Sequence, residues 1–184
     1  MNKNEILGYL RTSTGVDDKR LLELIDDACR EVDATVSPRT IYRLFDCTVT
    51  DDELIIGDTV FRSRRLCENL KGCDKVFIIA ATLGTESDRL LRTYASNDTA
   101  RMAVLQACLA SKTEEVCDSI EDEIRAQGYS LRQRFSPGYY DLDISENAKI
   151  FALMDISKRT GLTLTPTYQM LPTKSVTAFI GAEK

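Results

Sequence analysis

At 184 residues the chain fits one domain, or a core with a helical arm. Its 43% hydrophobic and 29% charged residues are ordinary for a soluble globular protein, and a net charge of −5 with a pI near 4.9 argues against a nucleic-acid binder, which needs a basic face. The chain has no histidine, which excludes a Ser-His or Cys-His nucleophile system and an imidazole general base, and removes the commonest ligand for zinc or haem.

Residues 3–11 read as a short helix, broken at Thr14-Gly15-Val16-Asp17, where Asp17 can cap the next one. Leu21, Leu22, Leu24, Ile25 and Ala28 then recur at helical spacing over 18–32, and Ser37-Pro38 ends this arm. From Thr40 the pattern becomes strand-like: Ile41, Leu44 and Phe45, then Val49, a turn at Asp51-Asp52, Leu54-Ile55-Ile56, Gly57-Asp58 and Val60-Phe61, a meander of short strands. A helix over 63–71 stops at Gly72. Lys75 to Thr82 is apolar almost throughout, which predicts a central strand covered on both faces. Gly84 closes it, and Thr85 or Ser87 is expected to cap a following helix.

Residues 98–126 form the longest helical pattern. Met102, Leu105, Leu109, Val116, Ile120 and Ile124 make one stripe; Ala103, Ala107, Ala110, Glu114 and Cys117 make a second line of mostly small residues, about a third of a turn away. Large residues on one face and small ones on another suggest packing on two sides, and Glu114 is poorly placed there without a partner. Gly128 ends the helix. Tyr129 to Arg134 reads as extended, so Arg132 and Arg134 should share a face. Ser145 is expected to cap a helix carrying Ile150, Phe151, Leu153, Met154 and Ile156, stopped by Gly161. Strands follow over 162–165 and 175–180. The order lacks regular β-α-β alternation, so the expected class is α+β.

The six cysteines contain no Cys-x-x-Cys pair and read as free thiols rather than metal ligands. No apolar run approaches the ~18–20 residues of a membrane span, and Met1 to Glu5 lack the order of a signal peptide, so the expected location is the cytoplasm. Arg62, Arg64 and Arg65, with Lys71 nearby, form a basic cluster: a solvated helix start, or a patch for an acidic partner.

The segment richest in chemistry is Arg134-Phe135-Ser136-Pro137-Gly138-Tyr139-Tyr140. It joins a planar guanidinium fork suited to a carboxylate, a stiff turn, a bare backbone and two rings. Together these groups suit a small zwitterion with an aromatic end.

Arg134-x-x-Pro137-Gly138-Tyr139 resembles the S-adenosylmethionine-binding signature of the activation domain of vitamin B12-dependent methionine synthase. Ala81-Thr82-Leu83-Gly84, Ser145 to Phe151, Leu164-Thr165-Pro166-Thr167 and Met170 to Val176 are similar to further segments of that family. Pro38 to Phe45 resembles its short, free-standing members. The resemblance implies a single activation-like domain over 1–184, with a helical arm at 1–36 and an α+β core at 37–184. It implies a twisted, largely antiparallel sheet flanked by helices, with a site beside one long central helix.

The resemblance also implies roles. Arg134 would pair with the carboxylate of S-adenosylmethionine, main-chain atoms at Ser136 would read the adenine edge, Gly138 would let the ligand lie close, and Tyr139 would face the sulfonium. Glu114 aligns with a ligand-binding glutamate that contacts either ribose hydroxyls or the amino group. Arg132 is an alternative to Arg134. A further acidic ligand lies near the start of the family's domain, for which Asp17, Asp18, Asp26 and Asp27 are all candidates. That domain continues past the segment matching Ile180-Gly181 and contributes another tyrosine; here Ala182-Glu183-Lys184 follow, which implies a more open pocket. No residue has an acid, base or metal-binding role.

The function implied is reactivation of oxidised cobalamin, carried by a partner corrinoid methyltransferase such as methionine synthase, with an electron from a flavodoxin-like donor and a methyl group from S-adenosylmethionine. The alternatives are a non-catalytic scaffold on the corrinoid protein and an S-adenosylmethionine sensor.

Overall fold

The computed structural model describes residues 1–12 and 18–184. The class is α+β. At its centre lies a four-stranded antiparallel sheet formed by β1 (Arg39–Asp46), β5 (Lys75–Thr82), β6 (Ser130–Leu131) and β9 (Ser175–Glu183), in the order β1-β5-β9-β6. β5 pairs along its whole length with both neighbours, from Lys75 opposite Asp46 and Ala182 to Thr82 opposite Arg39 and Ser175. Its two-sided apolar pattern has the expected cause. Val76, Ile78 and Ala80 enter one core cluster, and Phe77, Ile79 and Ala81 enter another, because alternate residues face opposite sides of a strand.

The first face packs against a three-stranded antiparallel meander of β2 (Thr48–Val49), β3 (Glu53–Ile56) and β4 (Thr59–Arg62), together with α3 (Arg64–Asn69), α6 (Asn147–Met154) and α7 (Ile156–Thr160). The expected meander thus exists, but Ile41, Leu44 and Phe45 lie in the central sheet, since β1 spends its hydrogen bonds on β5. Phe179 of β9 lies at the heart of this layer, with its ring edge-on to Phe61 at 4.8 Å.

The second face is covered by the C-terminal half of α5 (Thr99–Ala126), through Cys117, Ile120 and Ile124. The N-terminal half of α5 packs Val104, Leu105, Cys108 and Leu109 against α1 (Lys3–Tyr9), α2 (Lys19–Thr35) and α4 (Thr85–Tyr94). The helix is therefore sandwiched, as its two apolar lines suggest, although Ala103 is exposed. β9 also approaches its neighbours closely. A Cβ on Gly181 would lie 2.8 Å from Cys73 Sγ and 2.9 Å from Leu70 Cδ2, so any side chain there would force these neighbours to shift.

Several local expectations shift. Asp17 lies outside the described residues; Asp18 caps α2 by accepting from the Arg20 and Leu21 amides. Neither Thr85 nor Ser87 caps α4. Gly84 occupies that position at φ +85°, and the Ser87 hydroxyl donates to its carbonyl at 2.7 Å. Asp143 rather than Ser145 caps the turn at Ile144–Glu146 that leads into α6. The helix expected over 145–160 breaks at Asp155, which adopts a left-handed φ of 52°, where its compact backbone separates α6 from α7. Thr163–Leu164 pairs with Met170–Leu171 as a small hairpin, β7 and β8. Tyr129 to Arg134 forms only the short β6, but Arg132 donates its amide to Gly181, and Phe135 exchanges both backbone hydrogen bonds with Phe179.

All six cysteines are free, and no group of metal ligands gathers among the described residues. No described helix is long and apolar enough to cross a membrane. The basic cluster is largely neutralised: Arg62 pairs with Glu53, and Arg64 and Arg65 both pair with Glu68.

Candidate functional site

The Phe135–Phe179 bridge delivers the chain to the edge of the sheet, where it must turn. Ser136-Pro137-Gly138-Tyr139 makes that turn, with the Tyr139 amide donating to the Ser136 carbonyl at 3.4 Å. Proline suits the second position of such a turn, and the positive φ needed at the third is met by Gly138 at +91°. The Gly138 amide donates to Leu142 at 2.8 Å, closing the loop on itself.

Asp141 pins the far side of the loop. Its carboxylate accepts from the Ser63 hydroxyl at 2.5 Å, the Arg64 amide at 2.8 Å and the Arg65 amide at 3.3 Å, so it caps α3 from a distant part of the chain. The Ser63 bond first, then the two amides, holds the carboxyl below the usual carboxylate range. A lowered folded value means that the contribution is fully present above the unfolded value and is lost as pH falls through the folded one. Asp141→Ala is expected to cost ~1 kcal/mol, the ordinary worth of an N-terminal cap. Urea denaturation should show this difference near pH 7, and the difference should shrink as pH falls below the unfolded value and through the lowered folded one.

Between this loop and α5 lies an open cleft of about 710 Å³. Glu114, Arg134, Ser136 and Tyr139 all line it. Gly138 does not; it shapes the turn behind them. Tyr139 is 65% exposed, so its ring stands at the surface rather than in the core. Tyr140 is also exposed and stacks on Phe135 at 5.8 Å, with the Arg65 guanidinium over its ring at 5.9 Å.

Glu114 has the partner that its position demands. Arg134 donates from Nη2 to Glu114 at 2.8 Å, and from Nη1 to Asp118 at 2.7 Å and Glu121 at 2.5 Å. Burial opposes the charge on this guanidinium, but the Asp118 hydrogen bond and the neighbouring negative charges more than offset it and raise its pKa above the ordinary arginine value. Sequence reasoning missed Asp118 and Glu121. Their signal is the spacing Glu114, Asp118, Glu121, which places three acids on one helical face.

Arg132 also lines the cleft, yet its guanidinium goes to Glu183 at 2.6 Å, apart from the acids that hold Arg134. The N-terminal acids lie elsewhere. Asp18 caps α2, Asp26 pairs with Lys3 and Asp27 with Arg30; Asp17 is outside the described residues. What the arm does bring near the site is Tyr9, at the end of α1. Burial first, and then charge on Glu114, Glu5 and Tyr139, pushes its phenol up.

The cleft thus combines a partly buried guanidinium, a helical face of carboxylates, a turn with polar main-chain groups and an exposed ring. Such a set can hold a zwitterion with cationic character.

In overall shape the chain is similar to a solved crystal structure of the MetH reactivation domain bound to AdoHcy. The TM-score is 0.72 and the identity 20%, with 98% of this chain and 69% of that one covered. No curated protein matches it. Residues 67–184 match the family described as vitamin B12 dependent methionine synthase, activation domain. That stretch holds α5, the Arg134 loop and all of β9, and the chain belongs to this family of activation domains.

Proposed function

We propose that this chain, as a single cytoplasmic domain with residues 1–36 as its arm, is a reactivation subunit that binds S-adenosylmethionine and supports reductive methylation of cobalamin on a separate B12-dependent methyltransferase. That partner would be methionine synthase or another corrinoid protein, with a flavodoxin-like protein as electron donor. The observation that carries this reading is the convergence of Glu114, Arg134, Ser136 and Tyr139 on one cleft. Family membership and the AdoHcy bound to the similar MetH domain support it.

The residues present fit this ligand. A cleft of about 710 Å³ falls within the ~300–1,000 Å³ range of small-molecule sites. S-adenosylmethionine supplies an electrophilic methyl group on a sulfonium that departs as a neutral thioether. Arg134 would hold its carboxylate, and the acids of α5 its ammonium or ribose hydroxyls. Main-chain atoms at Ser136 would meet the adenine. The Tyr139 ring would face the cation, an attraction worth ~0.5–2 kcal/mol. The work of these residues is positional, and held geometry can lower a barrier by ~7–11 kcal/mol in favourable cases. Transfer of a methyl cation equivalent needs no proton transfer, which suits a chain without histidine.

One observation favours a scaffold that no longer binds the donor: Arg134 is already held by three carboxylates. Calorimetry with S-adenosylmethionine, followed by a single-turnover assay with a reduced corrinoid protein, separates the readings. A reactivation subunit gives binding heat and a methylated corrinoid. Heat without methylation indicates a sensor, and no heat at millimolar ligand with the partner present leaves the scaffold.

A further inference from the structure

Away from the cleft, the joint between the arm and the core holds two thiols in contact. Cys29 of α2 and Cys108 of α5 place their sulfurs 3.7 Å apart, across 79 positions of chain. Cys108 is fully buried and Cys29 is partly exposed, so one sulfur of the pair is open to solvent. Ala28 and Val32 of α2 share a core cluster with Leu105 and Leu109 of α5, which keeps the two sulfurs opposed. Other cysteines face different groups. Cys73 turns its sulfur to the Glu183 carboxylate at 3.9 Å, and Cys47 turns its own to the Cys73 carbonyl at 4.0 Å. The methyl-donor reading of the cleft uses neither Cys29 nor Cys108.

We propose that Cys29 and Cys108 are an oxidative modification site, a dithiol that hydrogen peroxide converts to a disulfide clasping the arm to the long helix. The sulfurs must close by about 1.7 Å to reach the ~2.05 Å of a bond, so each moves by less than ~1 Å, on the scale of a small side-chain rotation. The bond would join the arm to the core across 79 positions, and a cross-link over a loop of that length restricts the unfolded chain strongly.

The two cysteines have different parts. The thiolate is the nucleophile, and it forms first at Cys29. Burial pushes both thiols up, but the Cys108 S–H donates to Cys29 and offsets part of the rise there, and Cys29 is also the sulfur that solvent reaches. A small neutral oxidant suits the joint, because Cys29 is only partly exposed and stands near Asp26 and Asp33, which repel anionic disulfides. The Cys29 thiolate attacks one oxygen of peroxide, the O–O bond breaks, and the other oxygen leaves as water after taking a proton. The sulfur of Cys108 then attacks the sulfenic sulfur of Cys29, and the displaced hydroxyl leaves as a second water with the Cys108 proton. Together the two thiols lose two protons and two electrons, and the peroxide gains both.

The test is treatment of the native full chain with hydrogen peroxide, then blocking of the remaining thiols with N-ethylmaleimide and tryptic mapping. Residues 21–30 and 102–112 should appear as one disulfide-linked pair, from a monomer whose intact mass before blocking has fallen by two hydrogens. Dithiothreitol should restore both thiols. The oxidised protein should melt about 5–15 °C higher, and Cys29→Ser should abolish that rise. In Cys108→Ala the oxidised Cys29 has no thiol to resolve it and should carry sulfenic or sulfinic acid instead. Cys47, which faces a carbonyl, should form no link. A wild-type map with both thiols still blocked, with Cys29 oxidised alone, or with the link only between two chains would overturn the inference. A linked pair without a rise in melting would overturn the clasp. The wild-type map decides the matter even where a variant fails to fold, and none of its outcomes touches the proposed function.

Discussion

Arg134→Ala is expected to weaken S-adenosylmethionine binding by ~2–4 kcal/mol, a loss of about 30- to 900-fold in affinity. The substitution leaves the ligand's carboxylate without its fork of donors in a partly closed cleft. It also removes the one cation that Glu114, Asp118 and Glu121 share, so three acids on one helical face then repel each other beside the incoming carboxylate. The loss falls in the lower half of that range, because the ligand displaces an acid from Arg134 rather than finding it free. Calorimetry on a variant shown to be folded by circular dichroism measures the effect. Unchanged affinity in that variant contradicts the assignment. Arg134→Lys should recover only part of the loss, since an ammonium lacks the planar fork that serves three carboxylates at once.

Phe179→Ala should cost ~3–5 kcal/mol of folding stability, the usual penalty for deleting a buried ring. The side chain is fully buried, and its ring meets Phe61 edge-on at 4.8 Å. Stability of a domain is only ~5–15 kcal/mol in all, so this single change removes a large share of it. Urea denaturation should show a lower midpoint with an unchanged slope. A shift of under ~1 kcal/mol would mean that the layer between the central sheet and the meander collapses to fill the space. The backbone of Phe179 also exchanges hydrogen bonds with Phe135, so the residue that fills the core is the one that anchors the start of the Arg134 loop.

Parts of this fold are legible in the chain because their cause is local. Val76 to Ala81 is an unbroken apolar run, and no exposed strand tolerates that. Residues 98–126 carry nearly eight turns of helical spacing with a stop just beyond at Gly128. The stops at Gly128 and Gly161 both sit at positive φ, which glycine alone adopts freely. The loop around Arg134 is legible for a similar reason: proline and glycine determine its turn within four residues.

Other parts were not legible because their cause is remote. Local pattern makes 39–46 a strand but cannot say that its partner is 75–82 rather than the meander next to it in the chain. Beside the local cap Ser63, α3 is capped by Asp141, some 77 residues further along. The break at Asp155 overrides a continuous helical pattern, because two short helices cover the sheet where one straight helix was expected.

The candidate site divides along the same line. Composition alone excludes imidazole chemistry, and the order Arg134-Phe135-Ser136-Pro137-Gly138-Tyr139 alone indicates a turn that carries a guanidinium and a ring. Which charges meet that guanidinium is settled only in three dimensions. The Phe135–Phe179 bridge and the packing of α5 on the sheet bring Arg134 against Glu114, Asp118 and Glu121 across 13 to 20 residues of chain. Backbone preference acts over a few residues and is written into the chain directly. Electrostatic pairing depends on distance through space, which exists only after the core has set it.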